Sequence, residues 1–341
     1  MPTISVVLAA HRGEKYIGEQ LRSLFAQTRL PDEILIGDDS PDDATRRAIA
    51  DVLPEKPASV QLEVTVNPQQ LGHLKNFENL CAQAGGDFIF FCDQDDVWLP
   101  EKIATLSATL VNHPDKMLAF GDSIRADATM TKFYDRLFWV SENTEQEITA
   151  FNDGDAFSRI YPGQWWLSLH NVAIRREFRD VFLPTPDCFS YLDMWLGVIS
   201  TFYETAHCVN LVLTRYRVHE NNATTPVLWD SRRTALGRLL LLFRRVYEIM
   251  SRRAAGEYQQ LYEQYTALRK RVTSAMIINL PDSVRQRNEA RLDAAYEFYR
   301  RRMELIKQPR YRRLPEIWRL RNNYPRFVPA RWRSMLRDLL G

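Results

Sequence analysis

The sequence predicts an α/β fold, a mainly parallel sheet with helices on both faces, followed by a separate helical region. Three observations carry this. Short apolar runs alternate with helically spaced segments over the first hundred residues, acidic clusters follow two of those runs, and the charge changes sign along the chain. Ile4 to Leu8 (ISVVL) is a continuous β-prone run, as expected of a strand covered on both faces. The next segment, Gly18 to Gln27, sets Leu21, Leu24 and Phe25 at helical spacing. Residues EILIG, from Glu33 to Gly37, form a second strand and run into Asp38-Asp39. Val60 to Val66 alternates as a third, and Leu74 to Ala84 spaces Phe77, Leu80 and Cys81 as a helix. DFIFFC, from Asp87 to Cys92, is a fourth strand and ends in Asp93-Gln94-Asp95-Asp96. Such strand–helix–strand repetition builds a parallel sheet, and its ligands bind beyond the carboxyl ends of the strands.

From about 115 to 225 the pattern is less regular. It predicts a strand at Met117–Phe120, a polar loop over 141–155, and an aromatic loop from Tyr161 to Trp166. A helix over Leu192–Tyr203 and a strand over Asn210–Val218 follow. After Pro226 come long arginine-rich helical runs. The expected organisation is a catalytic domain over 1–226 and a basic helical region over 227–341. The first divides near residue 100.

Composition excludes several classes. With 45% hydrophobic residues the chain can bury a sizeable core. Its apolar stretches fall short of the roughly 20 residues of a membrane span. Arg12 and Glu14 interrupt the first apolar run, so no secretory signal is expected. Cys81, Cys92, Cys188 and Cys208 form no CxxC pair, which favours reduced thiols in a cytoplasmic protein. Residues 231–341 hold about 26 Lys+Arg against about 10 Asp+Glu, whereas residues 1–230 carry a net charge of roughly −14.

Asp93-Gln94-Asp95-Asp96 places three carboxylates in four residues at a strand end. They raise one another's pKa unless a cation compensates, and Mg²⁺ or Mn²⁺ prefers oxygen ligands shared with substrate phosphates. A solvated acidic turn capping the helix near Pro100 is the alternative. Asp38 and Asp39 offer a carboxylate to the imide N–H of uracil or thymine, or to ribose hydroxyls. A turn with Asp42 or Asp43 as helix cap is the alternative there.

Five blocks carry a resemblance: ISVVLAAHRGEKYIGEQLRSLFAQT, EILIGDDSPDDAT, LGHLKNFENL, GDFIFFCDQDDVWLPEK and YRVHENN. In this order and spacing, over roughly residues 4–225, the chain resembles the family 2 glycosyltransferases of GT-A fold. Within them it is similar to the rhamnosyltransferase-like group with a DQDD metal motif. The resemblance implies an inverting, metal-dependent enzyme of the Rossmann-like GT-A type. It implies that the first domain comprises a nucleotide-binding half (about 1–100) and an acceptor half (about 101–226). It implies Asp39 as the base-binding carboxylate, Asp95 as main metal ligand with Asp93 nearer the ribose, and His219 reaching the metal or diphosphate. It implies Asp193 as general base, in the place of an HDWW-like block, with Arg217 near phosphate. Ala10, His11, Arg12, Glu14, Lys75, Asn76 and Gln94 fall at nucleotide-binding positions. Trp165, Trp166 and Trp195 are candidate acceptor-binding aromatics, with core or lid packing the alternative for the first two.

The chain also departs from the family pattern. Ser40-Pro41 replaces Gly-Ser, His11-Arg12 replaces Tyr-Asn, and Leu192 stands where a histidine precedes the catalytic aspartate. His73, His113, His170 and His207 read as surface or satisfied polar residues, and Trp98 as packing behind the metal loop. The resemblance favours dTDP-L-rhamnose as donor, with a UDP-hexose or a catalytically silent sugar-nucleotide-binding protein as alternatives. It implies a saccharide acceptor on a polyprenyl carrier, in surface polysaccharide (O-antigen or capsule) synthesis.

In the tail, Leu239, Leu240, Phe243, Val246, Tyr247 and Met250 recur at helical spacing among arginines, as do Trp332, Met335, Leu336 and Leu339. Apolar faces rimmed by arginine suit an anionic leaflet, placing the protein peripherally on the inner face of the plasma membrane. A bundle packed on the catalytic domain, or a homodimer, is the alternative. No nucleic-acid-binding motif is present, and the acidic first region repels phosphate, so nucleic acid is not an expected partner.

Overall fold

The structure, a computed structural model, describes residues 1–137, 144–159, 167–222, 254–274, 278, 280–327 and 331–340. They fall into two compact units, the larger reaching His219 and the smaller lying beyond it.

The larger unit holds strands β1 (Ile4–Ala10), β2 (Glu33–Asp38), β3 (Gln61–Val66), β4 (Phe88–Asp93), β5 (Val97–Trp98), β6 (Leu118–Ala126), β7 (Phe133–Leu137), β8 (Val172–Arg175) and β9 (Ala206–Arg217). Its helices are α1 (Ile17–Phe25), α2 (Ala44–Val52), α3 (His73–Gln83), α4 (Lys102–Asn112), α5 (Glu145–Ala150), α6 (Ala156–Arg159), α7 (Arg179–Phe182) and α8 (Leu192–Phe202). The sheet order is β3-β2-β1-β4-β8-β6-β9-β5, with β7 on β6. The first four are mutually parallel; β8 is antiparallel to both β4 and β6, and β9 runs parallel to β6.

Strand alternation explains the layers. Ile4, Val6 and Leu8 point to one face and pack with Leu21 and Leu24 of α1, Ile49 of α2, and Ile103 and Leu106 of α4. On the opposite face Phe91 meets Phe77 of α3, ring centroids 5.8 Å apart. Both faces are covered, so the strands read as unbroken apolar runs.

The expected polar loop over 141–155 is overturned in its described part. Thr144 and Glu147 form a capping box that starts α5, and Ile148 and Phe151 are buried. β6 continues past Phe120 because its polar residues find partners inside the protein. Asp122 pairs with Arg136 at 3.0 Å, and the Asn171 amide donates to Ser123 Oγ.

His207 at the start of β9 stacks on His113, centroids 4.1 Å apart. Burial first, then the His113 and Lys116 charges, pushes its pKa down from 6.5 to about 4. The unfolded state therefore binds the extra proton between those values, so this stability is present above pH 6.5 and lost as pH falls through 4. Urea unfolding from pH 7 to 4 should show a loss of about 3 kcal/mol that His207→Gln removes. Parallel pH curves for the two proteins would contradict this.

The smaller unit contains α9 (Ala254–Ser274), α10 (Asp282–Ile306), α11 (Arg310–Leu320), α12 (Tyr324–Phe327) and α13 (Arg331–Leu340). Its arginines are not all superficial. Arg302 is buried, donates to both Asp338 carboxylate oxygens at 2.7 and 2.8 Å, and lies 3.9 Å from the Tyr258 ring centroid. The expected apolar helix at 236–250 lies outside the described residues. Among the described residues no helix is long and apolar enough to cross a membrane.

Candidate active site at the carboxyl ends of the parallel strands

Parallel register gathers the acidic clusters. Ala10 pairs with Asp38 and Ala9 with Asp93, so β1, β2 and β4 end side by side. The antiparallel pairing of β5 with β9, Val97 opposite Arg215, then folds Asp95 and Asp96 back against Arg217 and His219.

Asp39 is nearly buried, and its carboxylate is aimed by two donors. Asn67 Nδ2 donates to Oδ1 at 2.6 Å, and the Gly72 amide donates to Oδ2 at 2.8 Å. The Asp39 N–H donates to the Ala10 carbonyl at 2.8 Å. Asp38 is spent otherwise: Arg46 Nη1 reaches its Oδ2 at 2.9 Å and the Ser40 amide its Oδ1. Asp42 Oδ1 accepts from the Ala44 amide at 3.0 Å at the entry to α2.

The loop after β1 is held by its backbone. Gln94 accepts from the His11 N–H at 2.8 Å and donates to the His11 carbonyl at 3.0 Å, a two-point clamp. A Cβ on Gly13 would lie 2.2 Å from Gln94 Oε1, so a larger residue there would push the Gln94 amide out of its clamp. Arg12 takes a positive φ of 50°, and its N–H donates to Ser40 Oγ. The Ser40-Pro41 departure thus supplies a hydroxyl to this loop. Arg12 and Glu14 are exposed, and Glu14 Oε2 lies 3.5 Å from Thr45 Oγ1.

His219 Nε2 lies 2.9 Å from Asp95 Oδ2, and its ring packs against Tyr16. Arg217 is locked rather than open to phosphate. Its Nε donates to the Asp95 carbonyl at 2.7 Å, Nη1 to the Ala128 carbonyl at 2.6 Å, and Nη2 meets Glu19 at 2.5 Å. It braces the DQDD loop.

Asp96 is fully buried. Its Oδ1 accepts the Arg217 N–H, while Oδ2 has no hydrogen-bond partner among the described residues. Burial, then the charges of Asp95 and Asp93, raises its pKa well above the usual carboxylate range. Burial also works against Asp93, but the imidazoles of His170 and His73 outweigh it and hold that carboxyl low. Asp93, Asp96 and His170 can hold a metal ion, with one ligand atom of each within 4.8 Å of the others. Carboxylate and imidazole donors around a half-exposed strand end fit a divalent cation.

His170 lies in no motif, and His73, although inside the LGHLKNFENL block, read as a surface or satisfied polar residue. His170 is buried between Ser123, 2.8 Å from its Nε2, and Asp93, 3.7 Å from Nδ1. His73 Nε2 lies 3.4 Å from Asp93. Desolvation disfavours its charged form, yet Asp93, then Asp193 and Asp95, raise the pKa of this half-exposed imidazole, so carboxylates from two segments, the DQDD stretch and the start of α8, act on it. Lys102, fully buried over the Trp98 ring, donates to Thr214 at 2.9 Å and to the His170 carbonyl. Burial pushes it down to about 7.

Asp193 sits in the first turn of α8, where the helix dipole favours an anion, and accepts from the Met194 N–H at 2.8 Å. Trp195 is corrected. It is fully buried, packs on Phe189, and donates its indole N–H to the Phe182 carbonyl at 2.7 Å, so no acceptor touches it. Asn76 is likewise internal, donating to the Gly37 carbonyl at 2.8 Å. Lys75 is exposed and pairs with Glu78 at 2.7 Å. Trp165 and Trp166 lie outside the described residues.

The family model for glycosyl transferase family 2 matches residues 5–193, which hold both acidic clusters and Asp193. The chain belongs to glycosyl transferase family 2. This family 2 glycosyltransferase is 30% identical over 165 residues to the uncharacterized protein Rv1520 of Mycobacterium tuberculosis, covering 47% of each. It is 33% identical over 107 residues to the dTDP-rhamnosyl transferase RfbG of Shigella flexneri, covering 30% of this chain and 37% of that one. The chain thus spans about half the length, or less, of these curated relatives. Its fold is similar to the mannosyltransferase PcManGT of Pyrobaculum calidifontis, solved with GDP-Man and Mn²⁺. That match has TM-score 0.52 and 13% identity, and covers 99% of this chain and 85% of that one. The GT-A fold expected from the sequence, with helices following the catalytic unit, is the observed one.

Proposed function

We propose that this family 2 glycosyltransferase moves L-rhamnose from dTDP-L-rhamnose to a saccharide on a lipid carrier, with inversion at the anomeric carbon. The observation that carries the reading is the side-by-side ending of β1, β2 and β4, which brings Asp39 and the Asp93–Asp95 loop to the same end of the sheet. The similarity to RfbG favours the dTDP-rhamnose donor.

Asp39, aimed by Asn67 and Gly72, accepts the imide N–H of the base. Asp93 and Asp95, 27% and 16% exposed, are the carboxylates that a diphosphate-bound cation can reach, with His219 beside Asp95. Asp96, at zero exposure, supports the loop. A divalent cation held there supplies charge neutralisation for the leaving diphosphate. Asp193 takes the acceptor hydroxyl proton as its oxygen attacks the anomeric carbon from the face opposite the diphosphate. The bond from that carbon to the phosphate oxygen breaks, and its electron pair leaves with the diphosphate.

Calorimetric titration with dTDP, UDP and GDP, each with and without Mn²⁺ or Mg²⁺, tests this. The expected result is cation-dependent binding of dTDP, weakened ten- to hundredfold by Asp39→Ala through loss of about 1.5–3 kcal/mol of charged hydrogen bonding. Binding of UDP alone would move the donor to a UDP-hexose, and no binding by folded protein would remove the reading.

A further inference from the structure

We propose that the outward face of α11 docks this protein on an anionic phospholipid surface. The inference deepens the reading of a lipid-linked acceptor, and it places contact on a helix that the sequence patterns at 236–250 and 327–340 do not include.

α11 has two faces. Arg313, Ile317 and Leu320 point inward and are buried. Arg313 Nη1 donates to the Asp338 carbonyl and Nε to the Gln308 carbonyl, so the inner face is anchored. The outer face carries Tyr311, Leu314, Pro315 and Trp318 at spacings of three, four and seven residues, one continuous stripe. Tyr311 is 74%, Leu314 57% and Trp318 65% exposed, large values for apolar side chains one turn apart. Arg310, Arg312 and Arg319 flank them, also exposed. Arg312 lies over the Tyr311 ring and Arg321 over the Trp318 ring, at 5.5 and 4.5 Å. Glu316, the single acidic residue of the helix, is engaged by Arg319 and Arg301.

The occupant follows from this chemistry. Tryptophan and tyrosine prefer the headgroup level of a bilayer, and arginine beside them attracts anionic lipid. A second copy laid on the stripe would bring the same arginines together, which like charge opposes.

Flotation of the full chain with phosphatidylglycerol–phosphatidylcholine vesicles tests the proposal, using Tyr311→Ser/Leu314→Ser/Trp318→Ser in parallel. These side chains point away from the packed face, so the fold should persist; Leu314→Glu alone is the gentler variant. The full chain should float with anionic vesicles, less so at high salt, and the triple variant should partition about tenfold less or weaker still. Leu314→Glu should float measurably less than the full chain. Equal flotation of all three proteins, or none by the full chain, overturns the proposal. So does a change of the triple variant from dimer to monomer with flotation intact, which would give the stripe to a second copy. Nucleotide binding by calorimetry should be unchanged in both variants, so loss of flotation and loss of the donor site are read separately.

Discussion

Asp95→Ala is expected to abolish cation-dependent nucleotide binding and to lower sugar transfer on the order of a thousandfold or more. The substitution removes the largely buried carboxylate of the DQDD loop that pairs with His219 at 2.9 Å. Neutralising charge on a leaving diphosphate is worth several kcal/mol, and each 1.36 kcal/mol is a factor of about ten. The loop itself should survive. Arg217 binds the backbone carbonyl of residue 95 rather than its side chain, and Asp96 still receives the Arg217 N–H. Calorimetry with dTDP and Mn²⁺ beside a transfer assay decides the matter. Retained cation dependence in the variant would move the metal site to Asp93, Asp96 and His170, the cluster of ligand atoms within 4.8 Å.

The Asp193→Asn variant should behave differently: nucleotide affinity kept, transfer lowered by about two to four orders of magnitude, the usual contribution of a positioned general base. Asparagine keeps the Oδ1 that accepts from the Met194 N–H, so the start of α8 remains formed. The loss of charge at a helix N-terminus costs about 0.3–1 kcal/mol, too little to unfold the unit. A fall in kcat with an unchanged Kd for dTDP assigns the proton transfer to residue 193. Unchanged turnover would exclude it as the base.

Much of the fold was legible because it rests on local pattern. Unbroken apolar runs mark strands buried on both faces, and helical spacing between them marks crossovers, so β1 to β4, α1 and α3 follow from the order of residues. The acidic clusters were legible for a related reason: carboxylates crowded at the end of a buried strand are unfavourable without a counter-charge. Trp195 misled because an aromatic near a proposed catalytic aspartate reads alike whether it faces an acceptor or the core. The Phe182 carbonyl, thirteen residues away, settles its direction. The loop over 145–155 misled because polar composition hid the Thr144–Glu147 cap.

The sequence by itself determined the fold class, the order of the parallel strands' elements, the two acidic loops and the change of charge after residue 230. These depend on neighbours within a few residues. Only the tertiary structure decided that Arg217 braces the DQDD loop, that His73 and His170 stand beside Asp93, and that α11 turns Tyr311, Leu314 and Trp318 outward. Each of those depends on partners 20 to 122 residues distant, or on which face of a helix a buried arginine claims. A lone histidine or arginine carries no periodicity that says which partner it meets.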